Sequence, residues 1–384
     1  MIPLAIPNLS GNEARYLQEC VETNFVSSVG PFVTRFEAMV AQAAGAPYAV
    51  ATSAGTTGLH AALTAVGVRR DDLVILQSMT FIASANSIAH CGAEPWLLDI
   101  SRESWTLDPA QLASVLASDT ARGDGGVVHR ATGRRVAAIM PVYTLGMPAD
   151  MDAIVETARA YGLPVVVDGA AALGAHYKGR AIGALGADLT VFSFNGNKTV
   201  TAGGGGAVVG ADEAPCARVR HLTTTARRGA EYDHDMVGFN YRMTNLQAAV
   251  GCAQLEQLDT FVAAKRRIAR AYSEALGGLP GAGLFPNPDW AEGACWFGGV
   301  TLSAPPLAEV IPRLREAGVD ARPFWKPIHL QAPYANVPRA PLPVSEAVWQ
   351  TVLTLPCSTN LTREEQEAVI AAVRSVIRSK GSKN

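Results

Sequence analysis

The sequence has few charged residues and no excess of either sign. Charged side chains make up 17% of the 384 residues, and the formal net charge is −2. A chain with neither a basic stripe nor an acidic tail lacks the electrostatic pattern that attracts nucleic acid. It also lacks any stretch that approaches the roughly 18 unbroken apolar residues of a membrane helix. We therefore expect neither a nucleic acid nor a membrane as a partner.

Cysteine is sparse and follows no pattern. The cysteines show no C-x-x-C pair and no regular spacing; they are Cys20, Cys91, Cys216, Cys252, Cys295 and Cys357. Disulfide frameworks and zinc sites use characteristic cysteine spacings, so neither is expected, and no metal is predicted. Residues 1–8 lack the basic start and continuous apolar stretch of a signal peptide. The sequence predicts a cytoplasmic protein.

Apolar residues, in contrast, are abundant and regularly arranged. They make up 48% of the chain, which is enough for a large core and for two or three domains. From residue 48 onwards, short apolar runs alternate with segments of helical periodicity; the runs include 74–76, 95–100, 136–141 and 164–168. Continuously apolar strands separated by helices are typical of a mostly parallel sheet covered on both faces. The fold class predicted is α/β.

The domain boundary is expected inside a long helical segment. Residues 245–276 have the composition of one continuous helix, and we place the change of domain within it. This interpretation gives a large domain over residues 1–255, including the N-terminal segment, and a smaller C-terminal α/β domain over 256–384. The polar, glycine-containing interval 118–135 is expected to be a surface excursion.

Three polar features follow strand ends. They are the small-residue turn 53–57, Asp168 and Lys198. Ligands of parallel sheets bind at the carboxyl ends of the strands, so the three can converge on one pocket. The turn leads into a helix, and a helix N-terminus attracts an anion such as phosphate. Any ordinary strand-to-helix turn has a similar composition, however.

Lys198 lies in a run of serine, asparagine, glycine and threonine between two apolar segments, 189–194 and 207–209. No charge is needed for solubility at such a position. A lysine amine can form a Schiff base with an aldehyde, and pyridoxal phosphate (PLP) is the aldehyde that proteins commonly carry. Glycines 203–206 allow the backbone to pass close to a flat group. The alternative is a strand-edge lysine beside a glycine-rich turn.

Together these motifs resemble the PLP-dependent nucleotide-sugar aminotransferases of the DegT/DnrJ/StrS type. The resemblance extends from Asn-Leu-Ser-Gly-Asn-Glu at 8–13 to Leu-Pro at 355–356, nearly the whole chain. Within the family, the chain is most similar to aminotransferases of the legionaminic-acid and perosamine pathways. The resemblance implies PLP fold type I, as in aspartate aminotransferase. Its large domain would hold a mostly parallel seven-stranded sheet, followed by the smaller C-terminal domain.

The resemblance also assigns cofactor contacts. The segment 193–198 is similar to the family's lysine motif, which makes Lys198 the lysine that binds PLP and later transfers protons. Asp168 matches the strand-end aspartate that keeps the pyridine nitrogen protonated, although a helix N-cap is the alternative. Gly55 and Thr56 match the phosphate-binding turn, and Ser193 matches a hydroxyl that also reaches the phosphate.

Four further residues are implied to complete the site. Phe81 occupies the position of the ring that stacks on the cofactor, with a plain core residue as the alternative. Asn240, in the segment 238–247, matches an asparagine that reaches the phosphate of the neighbouring subunit, which implies a homodimer with shared active sites. Trp325 and His329 are candidate contacts to the sugar nucleotide, although a proline-bounded aromatic loop often serves packing alone.

Two positions depart from the family pattern. Ala171 stands where the family often has a polar residue, so the resemblance does not supply that residue's contact to the cofactor or the substrate. Gly204 stands where many relatives carry an acid. The legionaminic and perosamine groups often share that glycine, and it therefore indicates the subgroup.

The reaction implied is transfer of an amino group from L-glutamate to C4 of a nucleotide-linked 4-keto-6-deoxy sugar. The first substrate expected is a UDP-4-keto-6-deoxy-N-acetylhexosamine, in bacterial surface glycan or nonulosonic acid biosynthesis. The alternative is GDP-4-keto-6-deoxymannose, as in perosamine synthesis. A non-catalytic regulator that binds a sugar nucleotide would not need Lys198, Asp168 and Asn240. The family's deoxygenating branch has histidine at the lysine, and an amino-acid transaminase needs an arginine clamp that the sequence does not offer.

Overall fold

The computed structural model describes residues 1–123 and 125–378. The helices of these residues are α1 (Glu13–Glu22), α2 (Pro31–Ala44), α3 (Gly55–Ala65), α4 (Ile82–His90), α5 (Pro109–Asp119), α6 (Met151–Tyr161), α7 (Glu213–Thr223), α8 (Asn245–Leu255), α9 (Leu258–Leu276), α10 (Leu307–Glu316), α11 (Pro343–Val348) and α12 (Arg363–Arg378). The strands are β1 (Tyr48–Thr52), β2 (Leu73–Gln77), β3 (Glu94–Leu98), β4 (Thr120–Gly123), β5 (Gly126–His129), β6 (Val136–Met140), β7 (Val166–Asp168), β8 (His176–Tyr177), β9 (Arg180–Ala181), β10 (Leu189–Ser193), β11 (Gly206–Gly210), β12 (Arg227–Arg228), β13 (Asp233–His234), β14 (Ala282–Gly283), β15 (Ala291–Glu292), β16 (Gly298–Leu302), β17 (Arg322–Pro323) and β18 (Val352–Leu355).

The first part of the chain forms a large mixed sheet. One group of strands has the order β1-β11-β10-β7, and a second has the order β3-β2-β6. Parallel bridges between Ile139 and Val165 and between Val142 and Asp168 join β6 to β7, so the seven strands lie side by side. Strand β11 is antiparallel to both of its neighbours, and the other adjacent pairs are parallel. The carboxyl ends of β1, β7 and β10 therefore share one edge.

Helices cover both faces of this sheet, as its apolar strands require. Alternate residues of β2 enter different cores, because successive strand side chains point to opposite faces. Leu73 and Ile75 belong to the core that includes residues of α2, α6 and α8, whereas Val74 and Leu76 belong to the core that includes residues of α3, α4 and α7. All residues of β2 are buried, which agrees with the apolar run of its first four residues, Leu73 to Leu76.

A smaller antiparallel sheet, in the order β14-β16-β18-β17, forms a third core with α9, α10 and α12. The first residues of the chain also pack here. Ile2 pairs with Val319, and the N–H of Cys357 donates to the carbonyl of Leu4 over 2.8 Å. The sequence interpretation places the N-terminal segment with the large domain; its first residues contact the C-terminal sheet, whereas Asn8 and α1 pack against α8.

The helix expected over residues 245–276 is two helices, so that expectation is wrong. Helix α8 ends at Leu255 and α9 begins at Leu258. The first turns of α9 pack in a core of the large sheet through Phe261, and its later turns pack in the third core through Tyr272. The helix thus connects the two parts of the molecule. The division at residue 255 remains a prediction.

The interval 118–135 is more ordered than a simple surface excursion. It holds the hairpin of β4 and β5, in which Val127 is buried. Across residues 1–123 and 125–378, no helix combines the length and the apolar character needed to cross a membrane. The same part of the chain contains no group of histidine, cysteine and acidic side chains arranged to hold a metal ion.

Candidate active site

A cavity of about 520 Å³ opens at the edge where β1, β7 and β10 end. Seven residues singled out from the sequence line it: Gly55, Thr56, Phe81, Asp168, Ser193, Lys198 and Trp325. They come from segments up to 270 positions apart, between Gly55 and Trp325, and the order of the strands brings them together. The sequence prediction that the strand-end features share one pocket is therefore confirmed by their positions.

Asp168 ends β7 and is only 5% exposed. The hydroxyl of Ser84 donates to its Oδ2 over 2.6 Å, and the N–H of Ala170 donates to its Oδ1 over 3.1 Å. Burial raises the pKa of Asp168, and these two hydrogen bonds and the charge of Lys198 act against that rise. Asp168 begins no helix, so the alternative role as an N-cap is excluded. Its carboxylate is held in place and still lines the cavity.

Lys198 follows the end of β10 on a short turn, in which its N–H donates to the carbonyl of Asn195 over 3.0 Å. Its ammonium lies 3.7 Å from the centre of the Trp296 ring. Burial lowers the pKa of Lys198 to about 8, and the carboxylate of Asp168 acts in the opposite direction. An amine with this pKa is partly neutral near neutral pH and can act as a nucleophile or a base.

The turn after β1 forms a cradle for an anion. Helix α3 begins at Gly55, and Thr57 Oγ1 accepts from the N–H of Ala54 over 3.0 Å. The first N–H groups of a helix have no partner within the helix, and they carry its positive dipole end. A Cβ added at Gly55 would lie only 2.9 Å from Cβ of Ser193, so glycine is needed for this close approach. The hydroxyl of Ser193 lines the same end of the cavity.

Aromatic rings form another wall of the cavity. Phe81 is 52% exposed, unusual for a phenylalanine, and its ring centre lies 5.7 Å from that of Trp325. The alternative that Phe81 is a core residue is excluded by this exposure. Trp325 in turn contacts Trp296 at 5.7 Å and stacks on Phe324 at 4.3 Å. An exposed ring at the cavity wall can stack on a flat ligand.

Two residues predicted from the sequence do not line this cavity. His329 is buried, and its Nδ1 lies 2.7 Å from the hydroxyl of Ser78, so it holds the loop after β17 against the large sheet. Burial lowers the pKa of His329. Asn240 is exposed and pairs through its backbone with Thr224. A contact of Asn240 with a neighbouring subunit stays a prediction.

Sequence reasoning missed two residues that shape the site. Ser84 lies on α4 and supports Asp168, and the only signal in the sequence was the pair of polar residues Ser78 and Thr80 shortly before that helix. Trp296 precedes β16 and covers Lys198 from the other domain. No spacing in the sequence connects positions 198 and 296. Ala171, the departure from the family pattern, lines the cavity as an apolar residue.

The residues present fit PLP. A lysine amine for the aldehyde and a buried carboxylate for the pyridine nitrogen lie in the same cavity, with Lys198 and Asp168 in these positions. The start of α3 and Ser193 offer N–H and hydroxyl donors for a phosphate. Phe81 offers a ring face. The fold and the site define the class: an α/β enzyme of the PLP-dependent aminotransferase type.

Comparisons with known proteins agree with this class. The family model of the DegT/DnrJ/EryC1/StrS aminotransferase family matches residues 7–374. The GDP-perosamine synthase of Caulobacter vibrioides is 38% identical over 381 residues, which is 98% of each chain. EpsN of Bacillus subtilis, named provisionally as a pyridoxal phosphate-dependent aminotransferase, is 36% identical over 96% of this chain and 94% of its own.

Solved structures show the same fold. The structure of DesV from S. venezuelae, in complex with a ketimine intermediate, superposes with a TM-score of 0.85. It is 31% identical and covers 95% of this chain and 94% of its own. The chain belongs to the DegT/DnrJ/EryC1/StrS aminotransferase family. It is a PLP-dependent sugar aminotransferase that acts on nucleotide sugars.

Proposed function

We propose that the enzyme transfers an amino group from L-glutamate to C4 of a GDP-linked 4-keto-6-deoxy sugar, in the cytoplasm, for a bacterial surface glycan. The pair of Lys198 and Asp168 in one cavity carries the transamination. The choice of GDP is supported by relatives named GDP-perosamine synthase, of which one is 38% identical over nearly the full chain. A UDP-4-keto-6-deoxy-N-acetylhexosamine is the second candidate substrate.

Lys198 would perform the proton transfers. When bound, PLP supplies an aldehyde for the amino group and a ring that accepts electrons. The amine of Lys198 would hold the aldehyde and, once freed by the amino donor, would act as the base that takes the proton from Cα of glutamate. In the second half-reaction, Lys198 would return a proton to C4 of the sugar. A pKa of about 8 suits both directions, because the amine is neither fully charged nor fully neutral.

Asp168 and the α3 turn would hold the cofactor during these steps. A carboxylate beside the pyridine nitrogen keeps that nitrogen protonated, and the support from Ser84 and Ala170 fixes its orientation. The N–H groups at Gly55 and Thr56 and the hydroxyl of Ser193 would hold the phosphate. Trp325 would contact the sugar nucleotide at the open side of the cavity. His329 would act only through the loop that carries Trp325.

A homodimer with shared active sites is part of the proposal. The segment around β12 and β13 exposes apolar side chains, with Tyr232 and Val237 each 86% accessible. Such exposed apolar residues next to Asn240 are expected to contact a partner. Asn240 would then reach the cofactor phosphate of the second subunit, since it does not line the cavity of its own chain.

The first test is an absorbance titration with the variant Lys198→Ala. In the wild type, L-glutamate should bleach the visible band of the bound cofactor, and one keto sugar from a panel of GDP- and UDP-linked compounds should restore it. Lys198→Ala should lose turnover entirely and still bind pyridoxamine phosphate. Lys178→Ala, which removes an exposed lysine paired with Asp152, serves as the control and should behave as the wild type. Near-normal transamination by Lys198→Ala would sink the assignment.

Complementation tests the shared site. Lys198→Ala and Asn240→Ala homodimers are each expected to be inactive or weak. A heterodimer of the two variants has one site with both wild-type residues, so activity should return when the subunits exchange. We expect recovery towards half of the wild-type activity per heterodimer, measured after mixing and isolating the mixed species through different affinity tags. No recovery in a verified heterodimer would show that Asn240 serves its own subunit or none.

A further inference from the structure

Trp296 contacts the catalytic lysine and the residue that precedes it. The centre of its ring lies 3.7 Å from Nζ of Lys198. Its indole N–H donates to the carbonyl of Asn197 over 2.7 Å, and that carbonyl belongs to the peptide bond preceding Lys198. The side chain is 3% exposed. A single rigid ring therefore touches both the reactive amine and the backbone from which the amine extends.

The backbone of Trp296 is itself fixed on both sides. Its N–H donates to the carbonyl of Leu145 over 3.0 Å, at the edge of the large sheet. Its carbonyl accepts from Nζ of Lys265 over 3.0 Å and from the thiol of Cys357 over 3.5 Å. Lys265 lies on α9 and is only 3% exposed. The indole is therefore placed by contacts from both parts of the molecule.

We infer that Trp296 is a positioning residue for Lys198, which holds the ammonium by a cation–π contact and fixes the turn through the hydrogen bond to Asn197. The inference rests on the proposed role of Lys198. An aromatic face stabilises an ammonium, and it does so more strongly when water is excluded. A carboxylate would bind the ammonium strongly and hinder the loss of its proton, whereas the aromatic face does not. Lys198 can therefore release its proton, while the hydrogen bond to Asn197 keeps its backbone in place.

The effect of Trp296 on Lys198 must be distinguished from the effects of the other charged or titratable groups that face Lys198. In the part of the chain that the structure describes, the titratable or charged residues lining the cavity besides Lys198 are Asp168 at the end of β7, Tyr143 after β6 and Arg322 on β17. Asp168 favours the charged amine, and burial disfavours it. Arg322 is bound by Asp320 at 3.0 Å. None of these three is changed by a substitution at Trp296, which makes the contribution of the ring measurable.

The experiment measures the amine directly, without turnover. Cofactor-free protein is labelled with dilute acetic anhydride over a range of pH, and the labelling rate at Lys198 is followed by peptide mass spectrometry. Exposed Lys326 is the internal reference. Trp296→Leu should lower the measured pKa of Lys198 by about one, because the aromatic face is lost while the burial remains. Trp290→Phe, at a tryptophan that does not line the cavity, should leave that pKa unchanged.

A second variant isolates the hydrogen bond. Trp296→Phe keeps an aromatic face but cannot donate to Asn197, so the pKa of Lys198 should move less than in Trp296→Leu. Capture of PLP by the cofactor-free protein, followed by its visible band, should slow by about tenfold, the scale of one lost hydrogen bond. A merely structural role for Trp296 would lower the melting temperature without moving the pKa.

Two results would overturn the inference. One is a folded Trp296→Leu protein in which Lys198 has the wild-type pKa. The other, decisive if Trp296→Leu does not fold, is a Trp296→Phe protein that captures PLP at the wild-type rate. Failure of the proposed function is distinguished by Lys198→Ala, since near-normal transamination by that variant would remove Lys198 from the chemistry whatever Trp296 does.

Discussion

Two aspartates at the same edge of the large sheet show how a structural acid differs from a functional one. Asp99 follows β3 and Asp168 ends β7, and they are 3% and 5% exposed. Asp99 accepts from the N–H groups of Ile100, Val344 and Ser345 and from the hydroxyl of Ser345, over 2.6–2.9 Å. Asp168 accepts from one hydroxyl and one N–H group.

The two aspartates differ in how fully the protein satisfies the hydrogen-bonding capacity of their carboxylate oxygens. The oxygens of Asp99 are occupied by the first turn of α11, so its charge is compensated inside the protein. Asp168 lines the cavity and accepts only these two hydrogen bonds from the residues that the structure describes, so the protein compensates its buried charge less well. A strand-end position and burial are common to both residues. The number and origin of their hydrogen-bond donors is what separates the two roles.

The largest expected effect is on Asp168. Asp168→Asn removes the charge that keeps the pyridine nitrogen protonated, and kcat/KM should fall on the order of a thousandfold, as for loss of a preorganised electrostatic partner. The free energy of unfolding of the cofactor-free protein should stay the same or rise, because an undercompensated buried charge is removed. Steady-state kinetics and urea denaturation measure the two. If Asp168→Asn lost stability but kept its activity, Asp168 would be a structural acid and its functional assignment would be wrong.

Asp99 should respond in the opposite way. Asp99→Ala leaves the start of α11 without its acceptor and should lower the free energy of unfolding by about 3 kcal/mol, as expected for hydrogen bonds to a buried charged group. Activity per folded molecule should remain within a few-fold of wild type, since Asp99 does not line the cavity. Asp108→Ala, which removes the half-buried N-cap of α5, is the control and should lose only about 1 kcal/mol. A stable but inactive Asp99→Ala protein would contradict the structural assignment.

The sequence could predict Asp168 and Lys198, because alternating apolar runs and helices define the strands and hence the edge where ligands bind. It could not separate Asp168 from Asp99 by this rule, since the donors to Asp99 come from residues 344 and 345, far along the chain. Trp296 was missed for the same reason. Contacts between domains depend on three-dimensional placement that local patterns do not encode.

Two features of the fold could not be predicted, for a similar reason. Residues 245–276 have helical composition throughout, and the break after Leu255 arises where the chain passes from one core towards another. The N-terminal segment contains too few residues to show where it packs, and its pairing with Val319 is a long-range contact. Local propensity predicts the type of element better than its partners.

Substitution of Ser84 gives the finest test, because it removes one hydrogen-bond donor to Asp168 and leaves the carboxylate in place. The hydroxyl of Ser84 stabilises the charged form of Asp168, so Ser84→Ala should raise the pKa of that carboxyl further. Binding of PLP needs the charged form, and the acid limb of the binding profile should therefore move to higher pH, with a loss of about tenfold at the acid end. Fluorescence titration of the cofactor-free protein against PLP at several pH values measures the shift.

The same substitution has a signed effect on stability. An acid whose pKa is raised by folding binds more protons in the folded state, so stability falls as pH rises from the unfolded towards the folded pKa. Ser84→Ala widens that interval, and its loss of stability should be larger at neutral pH than in acid. Ser87→Ala, on the same helix and hydrogen-bonded to the carbonyl of Ser84, is the matched control and should lose stability without this pH dependence. Equal losses at both pH values would mean that Ser84 only packs, and that burial alone sets the charge state of Asp168.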